Sequence, residues 1–99
     1  MNANNKIRVL LVDDHQLLRQ SLRHALESQG FVIAAEATDG EEGIRLAEQT
    51  RPDVILMDVT MPVLDGIEAT RRLHSSHPNI PVVILTMHDE PDLVARAVG

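Results

Sequence analysis

Ninety-nine residues allow one small domain, and the absence of cysteine excludes a disulfide scaffold and thiolate metal sites, leaving a reducing compartment as the natural setting. A formal charge of −6 excludes a surface that holds nucleic acid by itself, because such a surface needs clustered Lys and Arg. No apolar run nears the roughly 20 residues of a membrane span, and Met1 to Lys6 lack the apolar core of a signal peptide, so a cytoplasmic chain with no membrane partner is expected. Apolar residues make up 43%, yet Phe31 is the only aromatic, so the core must be aliphatic and alanine-rich.

Ile7-Arg8-Val9-Leu10-Leu11-Val12 reads as a strand buried on both faces, and Asp13-Asp14 ends it. Leu17, Leu18, Leu22, Ala25 and Leu26 then recur at helical spacing, with Arg19, Gln20, Arg23 and Glu27 opposite and Gly30 as a C-terminal stop. Phe31 to Ala37 forms a second strand. A second helix follows, opened by capping-box spacing of either Thr38 with Glu41 or Asp39 with Glu42, and barred from continuing by Pro52.

Asp53-Val54-Ile55-Leu56-Met57-Asp58 is a third strand, in which four apolar residues lead to a carboxylate; Pro62 cannot join a sheet ladder, so pairing must end close behind Asp58. Asp65-Gly66-Ile67-Glu68 opens a third helix that Pro78 closes. Pro81 to Thr86 is a fourth strand, and Asp89-Glu90-Pro91 starts a fourth helix with Leu93, Val94, Ala97 and Val98 as its buried stripe. Strand followed by helix, four times over, predicts an α/β doubly wound parallel sheet with helices on both faces.

Parallel strands put all their carboxyl ends on one edge, where ligands bind. Asp13, Asp14, Asp58 and Thr86 therefore converge. Carboxylates so close repel one another unless a cation neutralises them, and with no histidine or cysteine at the strand ends the oxygen donors point to Mg²⁺. The plainer alternative for Asp13-Asp14 is that the pair caps the first helix. The plain reading of His15, His24, His74, His77 and His88 is solvent exposure, and none is taken as a ligand.

Val9-Leu10-Leu11-Val12-Asp13-Asp14, then Asp58-Val59-Thr60-Met61-Pro62 with Asp65-Gly66, then Val83-Ile84-Leu85-Thr86 resembles the receiver domain of bacterial two-component response regulators along the whole chain. The resemblance implies a flavodoxin-like sheet of order 2-1-3-4, with Asp58 accepting a phosphoryl group from a sensor histidine kinase. It further implies that Asp14 and Asp58 hold Mg²⁺ directly, that Asp13 acts mostly through water, that the Thr60 carbonyl is a further ligand and that Thr86 is the switch hydroxyl. His15, Leu17-Leu18-Arg19 and Thr86-Met87-His88-Asp89 are similar to the NarL/FixJ group, whose members carry a C-terminal DNA-binding domain. DNA contact is thus expected only through an output domain downstream.

The family's fifth strand, fifth helix and phosphate-pairing lysine have no counterpart, and the sole lysine, Lys6, precedes the first strand. A receiver domain spanning 1–99 and incomplete at its C-terminus is expected, with an apolar edge at Val82 to Leu85 covered in a homodimer or strand-exchanged oligomer. Two other functions fit less of the pattern. A magnesium-dependent phosphatase of the haloacid dehalogenase type would place an acid where Thr60 stands. A receiver-like module that signals without phosphate would not need the acids at all.

Overall fold

In Val9-Leu10-Leu11-Val12 every side chain is withdrawn from solvent, which only a central strand covered on both faces allows. A computed structural model, describing residues 6–58 and 66–85, shows how that burial is achieved. The chain runs β1 (Arg8–Val12), α1 (Gln16–Ser28), β2 (Val32–Ala37), α2 (Gly40–Thr50), β3 (Val54–Asp58), α3 (Gly66–Ser76) and β4 (Val82–Leu85). The strands form one parallel sheet in the order β2-β1-β3-β4, the flavodoxin-like doubly wound arrangement. The segment expected to form a helix from Pro91 lies outside the described residues.

Alternate residues of the central strands face α2 and α3, where Leu10, Val12, Ile55 and Met57 pack with Ala37, Ala47, Ala69 and Leu73. Val12 packs so closely under α2 that a Cβ on Gly43 would lie 3.0 Å from Val12 Cγ2 and 3.1 Å from Cγ1. Glycine at 43 is what lets this helix sit down on the strand that leads to Asp13.

The helix ends obey the local chemistry. Gly30 adopts φ +94 behind α1, with its N–H donating to Glu27 O and that of Phe31 to Leu26 O. Of the two cap pairs that spacing allows before α2, Asp39 with Glu42 is the one used: Asp39 Oδ1 accepts from Glu42 N at 2.9 Å. Glu42 Oε1 reaches back to Thr38 N at 2.7 Å, one residue beyond the usual reciprocal partner. At the other end, Arg8 Nη1 donates to Thr50 O and Arg51 O at 2.7 and 3.0 Å, placing a cation on the carbonyls that end α2.

The buried face of α1 is narrower than its apolar spacing predicts. Leu17 and Ala25 are exposed, Leu17 by 80%, and α1 contains no fully buried residue. The row Leu18, Leu22 and Leu26, spaced four apart, faces the sheet half-buried, and Leu17 and Ala25 each lie about 100° round the helix from it. The acid pair does not cap this helix either, since its N-cap residue is His15 and no side chain caps it.

Candidate functional site

The pairing register decides which carboxylates meet. Val12 of β1 lies opposite Met57 of β3 and Ala37 of β2, so the next residues along, Asp13 and Asp58, emerge side by side at the carboxyl edge. The Asp13 N–H extends the ladder by one rung, donating to Ala37 O at 3.0 Å. Asp58 is the last residue of its strand, opposite Leu85. Backbone pairing, not loop conformation, therefore fixes both acids.

Both side chains are withdrawn from water, Asp13 to 1% and Asp58 to 2% exposure, while Asp14 stands at the mouth with 29% of its side chain exposed. One donor atom each from Asp13, Asp14, His15 and Asp58 lies within 4.8 Å of all the others. Asp13 Oδ2 is buried with no hydrogen-bond partner among the described residues. A buried carboxylate oxygen with nothing to accept from is costly unless a cation or water takes it. The donor set thus fits a small divalent ion.

The electrostatics agree. Burial pushes the Asp13 carboxyl above its ordinary value of 3.8, and the charges of Asp58 and Asp14 push the same way; the hydrogen bond from His15 N, at 2.7 Å, and the His15 ring oppose them. Metal-free, this corner of the fold resists its own charge.

His15 has the missed role. Its ring is 56% exposed, as expected of a surface histidine, but Nδ1 faces inward, 3.1 Å from Asp14 Oδ1, 3.5 Å from Asp13 Oδ1 and 3.9 Å from Asp58 Oδ2. An all-oxygen description drawn from strand ends alone therefore omits a nitrogen. Its place directly behind Asp13-Asp14 was the available signal.

A second missed group braces the site from behind. Arg19 Nη1 donates to the Asp13 carbonyl at 2.8 Å and Nε to Glu36 Oε1 at 2.8 Å, while Arg23 binds the other oxygen of Glu36. A carboxylate one residue from the end of β2 thus anchors the arginine that holds the chain where β1 ends. Thr60 and Thr86, the other expected site residues, lie outside the described residues.

Comparison with known proteins agrees with this geometry. Residues 9–99 match the response regulator receiver domain family. The chain is 41% identical over 93 residues to the transcriptional regulatory protein DegU of Brevibacillus brevis, covering 93% of this chain and 39% of DegU. It therefore spans about two fifths of that relative's length. A two-component response regulator of the LuxR family from Aurantimonas sp. SI85-9A1 superposes with a TM-score of 0.89 at 37% identity, covering 95% of this chain and 68% of the other. A chain of the CheX-CheY-BeF3-Mg²⁺ complex from Borrelia burgdorferi gives a TM-score of 0.88 at 29% identity, with 93% and 70% covered. The chain belongs to the response regulator receiver domain family, the signalling domain of two-component systems.

Proposed function

We propose that Asp58 is the phosphoacceptor, taking a phosphoryl group from the phosphohistidine of a sensor histidine kinase. An Asp58 carboxylate oxygen attacks phosphorus in line, the phosphorus–nitrogen bond breaks with its electron pair going to the ring nitrogen, and the kinase histidine leaves as neutral imidazole, its other ring nitrogen already carrying the proton. Asp14 and Asp58 would hold Mg²⁺ directly, with Asp13 acting through water and the Thr60 carbonyl completing the set. When bound, the ion neutralises charge on the phosphoryl oxygens. The convergence of carboxylates from two strand ends within 4.8 Å carries this reading. A related fold solved with beryllofluoride and magnesium supports it.

The chain's own groups set the conditions for transfer. Asp58 is presented at the end of a rigid strand, so its carboxylate spends little entropy in finding the attack geometry. Asp13 and Asp14 supply the oxygens that draw a cation into the pocket. Thr86 serves as the switch hydroxyl, moving toward the new phosphoryl oxygens and re-packing the chain beyond β4. Residues 1–99 act as the receiver domain of a longer regulator, whose DNA-binding output domain lies downstream and responds to that change. DegU's description as a transcriptional regulator and the LuxR-family relative support this arrangement.

Incubating the chain with Mg²⁺ and a small phosphodonor, read by intact mass, is expected to add one phosphoryl group to the wild type and none to Asp58→Ala. Beryllofluoride should bind with the same dependence. Labelling elsewhere, or steady turnover of many phosphate esters, would refute the assignment. Silence from the wild type would instead identify a module that signals without phosphate.

A further inference from the structure

We infer that His15 is a fourth ligand of the acidic pocket, making it a mixed nitrogen–oxygen site that prefers a later first-row transition ion such as Co²⁺ or Zn²⁺ to Mg²⁺. This rests on the pocket holding a divalent cation, and adds which cation and through which atom. Three observations carry it. His15 Nδ1 faces inward, with a carboxylate oxygen of Asp14, Asp13 and Asp58 at 3.1, 3.5 and 3.9 Å. The four donor atoms all lie within 4.8 Å of one another. Asp13 Oδ2 is buried, with no hydrogen-bond partner among the described residues.

The distances suit a shared ion. Ligands at roughly 2.0–2.2 Å from a metal stand about 3 Å apart when adjacent and about 4.3 Å apart when opposite. The separations of Nδ1 from Asp14 and Asp58, 3.1 and 3.9 Å, fall within or close to that range. His15 is also held in place: its backbone N–H donates to Asp13 Oδ1 at 2.7 Å, tying the turn that carries the ring to the buried acid. The ring is 56% exposed overall, and Nδ1 is the nitrogen that lies within 4 Å of the acids.

Donor chemistry then sets the preference. Carboxylate and carbonyl oxygens suit Mg²⁺ and Mn²⁺, whereas imidazole adds affinity for later first-row ions such as Co²⁺ and Zn²⁺. Removing the imidazole should therefore weaken transition ions selectively. If His15 were instead an internal counter-ion that merely occupies the cation's place, removing it would strengthen every divalent ion alike.

The test is calorimetric titration of the full chain with Co²⁺ and with Mg²⁺, for the wild type, His15→Ala, His15→Gln and Asp14→Ala, with circular dichroism verifying that each variant folds. The expected result is a wild type that binds Co²⁺ more tightly than Mg²⁺, and a loss of about tenfold or more in Co²⁺ affinity in both His15 variants with Mg²⁺ affinity nearly unchanged. Nitrogen hyperfine coupling in the pulsed paramagnetic resonance of bound Mn²⁺ should vanish with His15. Unchanged or improved Co²⁺ affinity in His15→Ala, or no nitrogen coupling in the wild type, overturns the inference. Mg²⁺ binding that still depends on Asp14 would then leave the receiver reading standing, whereas no binding of either ion by the wild type would sink both.

Discussion

Replacing Asp13 with asparagine should stabilise the metal-free domain and destabilise it relative to wild type once a divalent ion is present. Asp13 and Asp58 place oxygens within 4.8 Å, a separation worth about 1 kcal/mol of repulsion in water-like surroundings and about 3 kcal/mol at an effective dielectric of 20. Asparagine keeps an acceptor for the His15 N–H and loses its charge assistance, about 1 kcal/mol. The net gain is about 1 kcal/mol, a rise in melting temperature of about 4–8 °C for a domain of this size. The direction of the pKa shift fixes the pH dependence. Burial raises the folded-state value of Asp13 above 3.8, so its favourable contribution is complete below 3.8 and is lost as pH rises through the folded value. At neutral pH the wild type therefore bears the cost, and the advantage of Asp13→Asn should fade on acidification. With Mg²⁺ at a hundredfold over its dissociation constant the wild type gains about 2.7 kcal/mol, and the weaker-binding variant gains less, so the order inverts. Thermal melts in chelator and in Mg²⁺, each across pH, read all of this. A variant less stable than wild type in chelator at neutral pH, or a gap that persists below 3.8, would show that the acids do not repel as their placement requires.

Three further substitutions probe the supports. Arg19→Ala removes both the tie to Glu36 and the donor on the Asp13 carbonyl, and should cost about 1–3 kcal/mol of stability, read as a lower urea midpoint at unchanged m, and weaken divalent binding. Arg19→Lys should recover less than half, since one ammonium cannot reproduce the guanidinium's reach to both acceptors. Gly43→Ala gains about 1 kcal/mol in helix propensity but drives a methyl into Val12 at 3.0 Å, where overpacking costs about 1–3 kcal/mol; the expected outcome is a net loss of about 1 kcal/mol by thermal melt. Thr70→Val, by contrast, removes a buried hydroxyl that has no partner among the described residues and should raise stability by about 1 kcal/mol in the same assay.

Much of the fold was legible because burial on both faces leaves an unmistakable trace. Val9 to Val12 and Val54 to Met57 are unbroken apolar runs, and both proved central. Gly30 announced a helix end because it reaches positive φ without strain, and Pro52 because it lacks the N–H that a continuing helix needs. The face of α1 was less legible. Five apolar residues outline a stripe wider than the sheet can cover, and which edge is left in water depends on how the helix docks, a choice between Leu17 with Ala25 and the row of Leu18, Leu22 and Leu26. Glu36 was hidden for a related reason: in an otherwise apolar run it reads as a misfit until arginines from α1 reach it.

The site divides along the same line. Asp13 and Asp58 could be paired from the chain alone because a parallel ladder carries strand ends to one edge, and the rung between Val12 and Met57 leaves their side chains no freedom to part. The nitrogens around them obey no such periodicity. His15 reaches the acids because a turn aims its ring, and Arg19 reaches the Asp13 carbonyl because α1 docks at one particular angle. The acids, set by the ladder, determine that a cation can be held at all, and every variant that removes one should change binding of all divalent ions. His15, aimed by the turn, is the group expected to separate one ion from another, whereas Arg19, set by docking, governs how firmly the chain behind Asp13 is held and so should weaken all divalent ions alike when it is replaced. With His15 as a ligand, substitutions in the turn before α1 should therefore alter selectivity, while loss of Asp13 or Asp58 at the strand ends should affect every divalent ion.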